Sequence, residues 1–184
     1  MLPKKFYNRD PAIVAKELLG KVIVKRDNGI LKGRIVETEA YYGLSDPASR
    51  ARRGAKIMWG TAGITFIYMV HGNWLFNIIT MPKGEPSGVL IRAVEPLEGL
   101  EIMKRNRGVD DIRNLTSGPG KFTKAFGIDK RYNGIKVYRR DSPIMIKDGK
   151  MEGDVVRSYR IGVKHDLPIP LRFYIKGNRF VSRK

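Results

Sequence analysis

The chain has 184 residues, 42 % of them hydrophobic and 29 % charged, enough to bury a sizeable core in one globular domain. Thirty-six Lys and Arg against eighteen Asp and Glu leave a formal charge of +18, which favours a polyanionic partner. The lack of cysteine excludes disulfides and thiolate metal sites and suits an intracellular setting, no run approaches the ~20 apolar residues of a membrane span, and with only His71 and His165 no dedicated zinc site is expected.

No internal repeat, low-complexity stretch or linker divides residues 1–184, so one domain is expected. "MLPKKFYNRDP" lacks the apolar centre of a signal peptide. "DPAIVAKELLG" predicts a helix with Asp10 as N-cap, Pro11 at the first position and Gly20 as the stop. "KVIVKRDNGILKGRIVETEAYY" predicts two strands around an Asn28-Gly29 turn. Residues 43–57, polar and Arg-rich without apolar periodicity, read as a surface loop. "ITFIYMVHGNWLFNIITM" reads as a second hairpin turning near His71-Gly72-Asn73, and "SGVLIRAVE" as a further strand.

"EPLEGLEIMKRNRG" reads as a helix opened by Pro96 and ended near Gly108, and "SGPGKFTKAFG" as a short helix starting at Pro119. Short strands follow at "IKVY", "PIMIK", "VVRSYRIGV", "LRFYIKG" and "RFVS", separated by Asn-Gly, Asp-Gly and Gly-Asn turns. Hairpin-linked strands with a few helices predict an α+β fold on a largely antiparallel sheet. Basic residues concentrate at 50–56, 104–107 and 130–140 without forming a tail, which places the charge on a folded surface.

Strand alternation puts Ile35, Glu37, Glu39 and Tyr41 on one face, about 7 Å apart at each step. Like charges that close disfavour each other, and "RIVETEAYY" is apolar or aromatic on both sides, so at least one glutamate is expected to be partly buried. A solvent-facing carboxylate paired with a surface Lys or Arg is the plain account. The functional one is a carboxylate that stays ionised and acts as a general base on water while its neighbour is neutralised by an arginine. The residues alone do not say which glutamate takes which part.

Ile64, Phe66, Tyr68 and Val70 share a face of the second hairpin, with His71 at its tip and Trp74 beyond. His71 either merely begins the turn or acts as a wedge between base pairs, as bulky residues of minor-groove binders do. "TSGPGKF" sets backbone amides at a helix start beside Lys121, an arrangement suited to phosphate. "RIGV" at 160–163 carries no chemistry readable by itself. The chain has no P-loop, GxGxxG or Ser-centred nucleophile elbow, which weighs against nucleotide-driven and acyl-transfer chemistry.

Taken in order, "AKELLGKVIV", "GRIVETEAYYG", "FIYMVHG…FNIIT", "GVLIRAVEPLEGLEIMK", "LTSGPGKFTKAFGI", "RIGVKH" and "PLRFYIKGN" resemble the 3-methyladenine DNA glycosylases of the alkyladenine (alkylpurine) type, over most of the chain from Ala15 to Ser182. The resemblance implies a cofactor-free, metal-free, monofunctional base-excision repair enzyme. Such an enzyme flips alkylated purines or hypoxanthine from double-stranded DNA and hydrolyses the N-glycosidic bond. It further implies a curved antiparallel sheet with flanking helices and a protruding hairpin that enters the minor groove. A monomer is expected, free of membranes, located at the nucleoid in the cytoplasm or in a nucleus.

Position by position, the resemblance makes Glu39 the general base and Arg92 the arginine that keeps it ionised. Tyr41 and Tyr68 would stack on the flipped base, Asn77 would disfavour normal guanine, and His71 would be the DNA wedge; Gly120 and Lys121 keep the phosphate-binding part read from the helix start. Two positions depart from the family pattern. His71 stands where tyrosine is usual, and Arg50 of "DPASRARRG" stands where a histidine completes the base pocket. A guanidinium in that pocket repels a cationic base, so Arg50 is expected to shift preference toward neutral lesions such as hypoxanthine, unless it turns outward to a phosphate. The alternative from another class is a catalytically silent nucleic-acid-binding module of the same fold.

Overall fold

The computed structural model describes residues 1–183. Four α-helices and eight strands follow in the order α1 (Lys4–Tyr7), α2 (Pro11–Leu18), β1 (Val22–Arg26), β2 (Ile30–Tyr41), β3 (Thr65–Val70), β4 (Asn73–Ile79), β5 (Gly88–Glu98), α3 (Leu100–Arg107), α4 (Pro119–Ala125), β6 (Ile144–Lys147), β7 (Val155–Ser158) and β8 (Arg172–Ile175). The strands make one curled sheet in the order β3-β4-β5-β2-β1-β6, every pairing antiparallel, as the hairpin pattern predicts. Strand β2 is the hub. One edge pairs with β5 along most of its length, while the other pairs first with β1 at Ile30–Arg34 and then with β8 at Glu37–Glu39.

Two compensating bulges shape the centre of that hub. Between Ile35↔Val94 and Glu37↔Ala93 strand β2 carries Val36 as an extra residue; between Glu37↔Ala93 and Thr38↔Ile91 strand β5 carries Arg92 as one. A bulge bends the strand and re-aims a side chain, and here it turns Arg92 onto the glutamate face. The strict alternation expected from Ile35 to Tyr41 is therefore broken at Val36, and Ile35 and Val36 both enter the hydrophobic core.

Helix α2 begins as expected, with Asp10 Oδ1 accepting from the N–H groups of Ala12 and Ile13, and it is tied to β2 by Thr38 Oγ1 donating to the Ala15 carbonyl at 2.8 Å. The Asn28-Gly29 turn has both residues at positive φ (53° and 105°), as a tight hairpin requires. Helix α4 starts at Pro119 and packs Phe122 edge-on against Phe76 of β4 and Phe126.

Several expectations are corrected. Pro96 does not open α3: it pairs with Gly33 inside β5 beside a register shift, a place where a strand tolerates proline, and the helix starts after Gly99 in the left-handed region. Residues 43–57 are more than a loop. Two 3-10 turns, Arg50–Arg53 and Lys56–Trp59, bury Ala51 and Met58 against Phe66 and Ile79. "IKVY" keeps only one bridge, Lys136 to Ile64, "VVRSYRIGV" is a strand only to Ser158, and "RFVS" is a turn.

Candidate active site

Strands β2, β3 and β5, the start of α4 and the loop after β7 surround a cavity of about 900 Å³. Tyr41, Tyr68, Arg92, Arg50, His71 and Lys121 all line it, so residues singled out from distant parts of the sequence meet in one place. Gly120 lines it too. A Cβ on Gly120 would stand 2.6 Å from Asn73 Oδ1, so only glycine lets α4 approach the hairpin this closely. Thr123 Oγ1 completes that dock by donating to the Trp74 carbonyl at 2.7 Å.

Glu39 is fully buried under the cavity wall. Its Oε1 accepts from the Ile161 N–H at 2.8 Å and meets Arg92 Nη1 at 3.2 Å, and its Oε2 accepts from the Tyr41 hydroxyl at 2.7 Å. Those three partners themselves line the cavity. Burial raises Glu39 above the ordinary carboxylate range, with Arg92, the Ile161 N–H and the Tyr41 hydroxyl opposing the rise. Burial also holds the Tyr41 phenol well above its usual value, so Tyr41 remains a protonated donor to the carboxylate.

Glu37 is equally buried, and its cations are two: Arg92 Nε at 3.1 Å and Arg172 Nε at 2.7 Å. Contact with Arg92 therefore does not separate the two glutamates. What separates them is the company of Tyr41 and Ile161, which belongs to Glu39 alone.

The Arg50 guanidinium lies 4.4 Å over the Tyr68 ring and faces the cavity. Burial raises the Tyr68 phenol, against the pull of Arg50. Asn77 is buried between β3 and β5, with its amide nitrogen donating to the carbonyls of Phe66 and Leu75, and it opens onto a narrow recess shared with Tyr41, Arg50 and Tyr68. Lys121 Nζ donates to Asn114 Oδ1. His71 and Gly72 form the two-residue tip between the paired Val70 and Asn73, exposed and both at positive φ (47° and 75°). That is a tighter turn than the three residues expected.

One part of the site was not legible in the sequence. Arg160 stacks 4.5 Å from the Tyr41 ring and is clamped by Asp46 at 2.7 and 2.9 Å and by Asp166 at 2.9 and 2.5 Å. Burial weakens its charge, but these carboxylates more than offset that and raise it. The clamp holds the chain just before Ile161, whose N–H reaches Glu39.

The family model described as methylpurine-DNA glycosylase (MPG) matches residues 5–179. Proteins named "Putative 3-methyladenine DNA glycosylase" from Methanoculleus marisnigri and Carboxydothermus hydrogenoformans are each 40 % identical to this chain, covering all of it and 99 % and 100 % of their own lengths. One of the same name from Aeropyrum pernix is 41 % identical over the whole chain and 93 % of its own length. With this extent of match, the chain belongs to the methylpurine-DNA glycosylase family.

Proposed function

We propose that the protein is a monofunctional DNA glycosylase that takes a damaged purine out of duplex DNA into the cavity and hydrolyses its N-glycosidic bond with a water activated by Glu39. The observation that carries the reading is the setting of Glu39: a buried carboxylate held by three donors, each on the cavity wall. Oε1 already has two partners, whereas Oε2 has only the Tyr41 hydroxyl. Oε2 is thus the oxygen with an acceptor position left for water.

In the reaction the water oxygen bonds to C1′ of the deoxyribose while the bond from C1′ to the purine nitrogen breaks. The electron pair leaves with the base, and the water proton passes to Oε2. The carboxylate charge beneath the sugar stabilises the positive charge that develops on it. A base in the cavity would lie between Tyr41 and Tyr68, whose rings attract electron-poor purines. Asn77 would sit at the edge of a base in the recess and disfavour normal guanine there. Gly120 and Lys121 would meet the backbone phosphates from the α4 side, and the +18 surface supplies sequence-independent attraction to DNA.

Arg50 adds a finer reading. Because its guanidinium lies over the Tyr68 ring and Arg50 lines the cavity, a cationic base would have a positive charge close by. A neutral 6-oxopurine instead offers O6 and N7, which an arginine binds in a bidentate manner. The preferred substrates are accordingly neutral lesions of the hypoxanthine type.

Duplexes carrying single lesions, assayed for base release by wild type and Glu39→Gln, test the core of this. The expected result is release by wild type, none by the variant, and DNA affinity nearly equal for the two. If wild type releases no base from any lesion, the protein is a binding module; if Glu39→Gln retains activity, another group activates the water.

A further inference from the structure

Glu37 has no part in the reaction just described, yet its buried carboxylate accepts four hydrogen bonds. Its Oε1 accepts from Arg92 Nε (3.1 Å), Arg172 Nε (2.7 Å) and Ser182 Oγ (2.9 Å), and its Oε2 accepts from the Ser182 N–H (2.7 Å). Three of these four donors come from β8 and the segment after it, so the end of the chain folds back onto the hub strand to fill one buried carboxylate. Arg172 is held in turn by the Arg183 carbonyl and by Ser158 Oγ.

Arg92 is shared. Its Nε serves Glu37, its Nη1 serves Glu39, and its Nη2 donates to Ser182 Oγ at 3.4 Å. Two carboxylates, Glu37 and Glu39, face two guanidiniums, Arg92 and Arg172, and the cluster is neutral with all four ionised. A guanidinium between two acids is drawn to the one with fewer other donors. If Glu37 lost its donors from the chain end, it would compete for Arg92 and leave Glu39 less well neutralised in a medium where charge is costly.

We propose that Arg172 and Ser182 are positioning residues: they saturate Glu37 from the far side, so that Nη1 of Arg92 stays on Glu39 and Glu39 stays a carboxylate. The inference deepens the reading of Glu39 as the base and rests on it. The charged and titratable groups facing Glu39 are Glu37 and Tyr41 from β2, Arg92 from β5, Tyr68 from β3 and, through Glu37, Arg172 from β8. Because burial raises Glu39, its carboxylate is lost as pH falls through that raised value, and the rate should fall with it along an acidic limb.

The test is the pH profile of single-turnover base release for Glu37→Gln, Arg172→Met and Ser182→Ala. Beside it runs a carbon-13 titration of glutamate-labelled protein, in which the Glu39 carboxyl is assigned by its absence in Glu39→Gln. Glu37→Gln removes a negative neighbour and should move the limb to lower pH. Arg172→Met removes a positive one and should move it up by about one pH unit, a tenfold loss of rate at a fixed pH on the limb. Ser182→Ala should move it the same way by less, and Arg172→Lys should restore part of the loss.

A structural role alone would lower the rate without splitting the variants in opposite directions. Shifts of one sign for Glu37→Gln and Arg172→Met, or a Glu39 titration that none of the variants moves, overturn the proposal. If Arg172→Met does not fold, Glu37→Gln and Ser182→Ala still decide by the sign of their shifts. If Glu39→Gln keeps its activity, Glu39 is not the base, and the carbon-13 titration judges the positioning claim by itself.

Discussion

Replacing Arg160 by methionine keeps the stem volume and removes the charge, which makes it a direct probe of the clamp behind Tyr41. Five hydrogen bonds go with it: two to Asp46, two to Asp166 and one to the Ala40 carbonyl at 3.0 Å. The cost is set less by those bonds than by what they leave behind. Asp46 is fully buried, and breaking a buried pair by removing one partner costs about 3–5 kcal/mol. Two facts move the value to the low end. Asp46 keeps the N–H groups of Tyr42 and Ala48, each at 3.0 Å, and the Asp166 side chain is 19 % exposed and can rehydrate. A loss of about 3 kcal/mol, or roughly 6–12 °C in Tm for a chain of this size, follows. Denaturant unfolding and thermal melts measure it. Adding Asp46→Asn to Arg160→Met removes the stranded charge and should recover part of the loss. A single-variant cost below about 1 kcal/mol, or a double variant no more stable than Arg160→Met, refutes the account.

Three further outcomes are expected. His71→Asn suits a positive-φ turn at least as well as histidine, so stability should hold while base release from duplex falls; release from a single-stranded lesion should stay unchanged, and an equal loss on both would remove the wedge role. Arg50→His should raise excision of 7-methylguanine relative to hypoxanthine, and an unchanged ratio ends the charge-filter reading. Raising salt from about 50 to 200 mM should weaken DNA binding steeply, by several orders of magnitude if six or more phosphates are contacted, yet leave the single-turnover rate at saturating protein nearly constant, because the Glu37, Glu39, Arg92 and Arg172 side chains are buried.

What the sequence disclosed followed the range of the signals. Local ones were readable: Asp10 before Pro11 capped a helix, and Asn28-Gly29 and the His71-Gly72 tip closed hairpins. Pro96 misled because its ordinary meaning at a helix start competed with a β-bulge, which only the pairing partner Gly33 reveals. Two residues spaced by two on one strand disclosed the Glu37 and Glu39 pair, but not how either is neutralised. The partners lie far along the chain: Arg172 stands 135 residues from Glu37, Ser182 stands 145 from it, and Arg160 is 114 from Asp46. Ion pairs of that range leave no periodic trace. "RIGV" looked inert because its chemistry is a backbone N–H, and every residue but proline has one.

The distribution of charge around Tyr41 ties these features together. The surface carries the excess behind +18, whereas the buried interior does not. Around Glu39 two carboxylates balance two guanidiniums, and behind Tyr41 two carboxylates, Asp46 and Asp166, hold the single guanidinium of Arg160. Burying so many ions is a poor route to stability, since apolar side chains of equal volume usually do as well or better. Their arrangement suits the proposed reaction, in which positive charge would develop on a sugar: a basic exterior would gather the polyanion, and a neutral-to-negative floor would receive the developing cation. Arg50 is the exception, a positive charge over Tyr68 at the cavity wall. In the proposed reaction it would lie beside the base and not beneath the sugar, so it could select among bases without opposing a charge that develops at C1′.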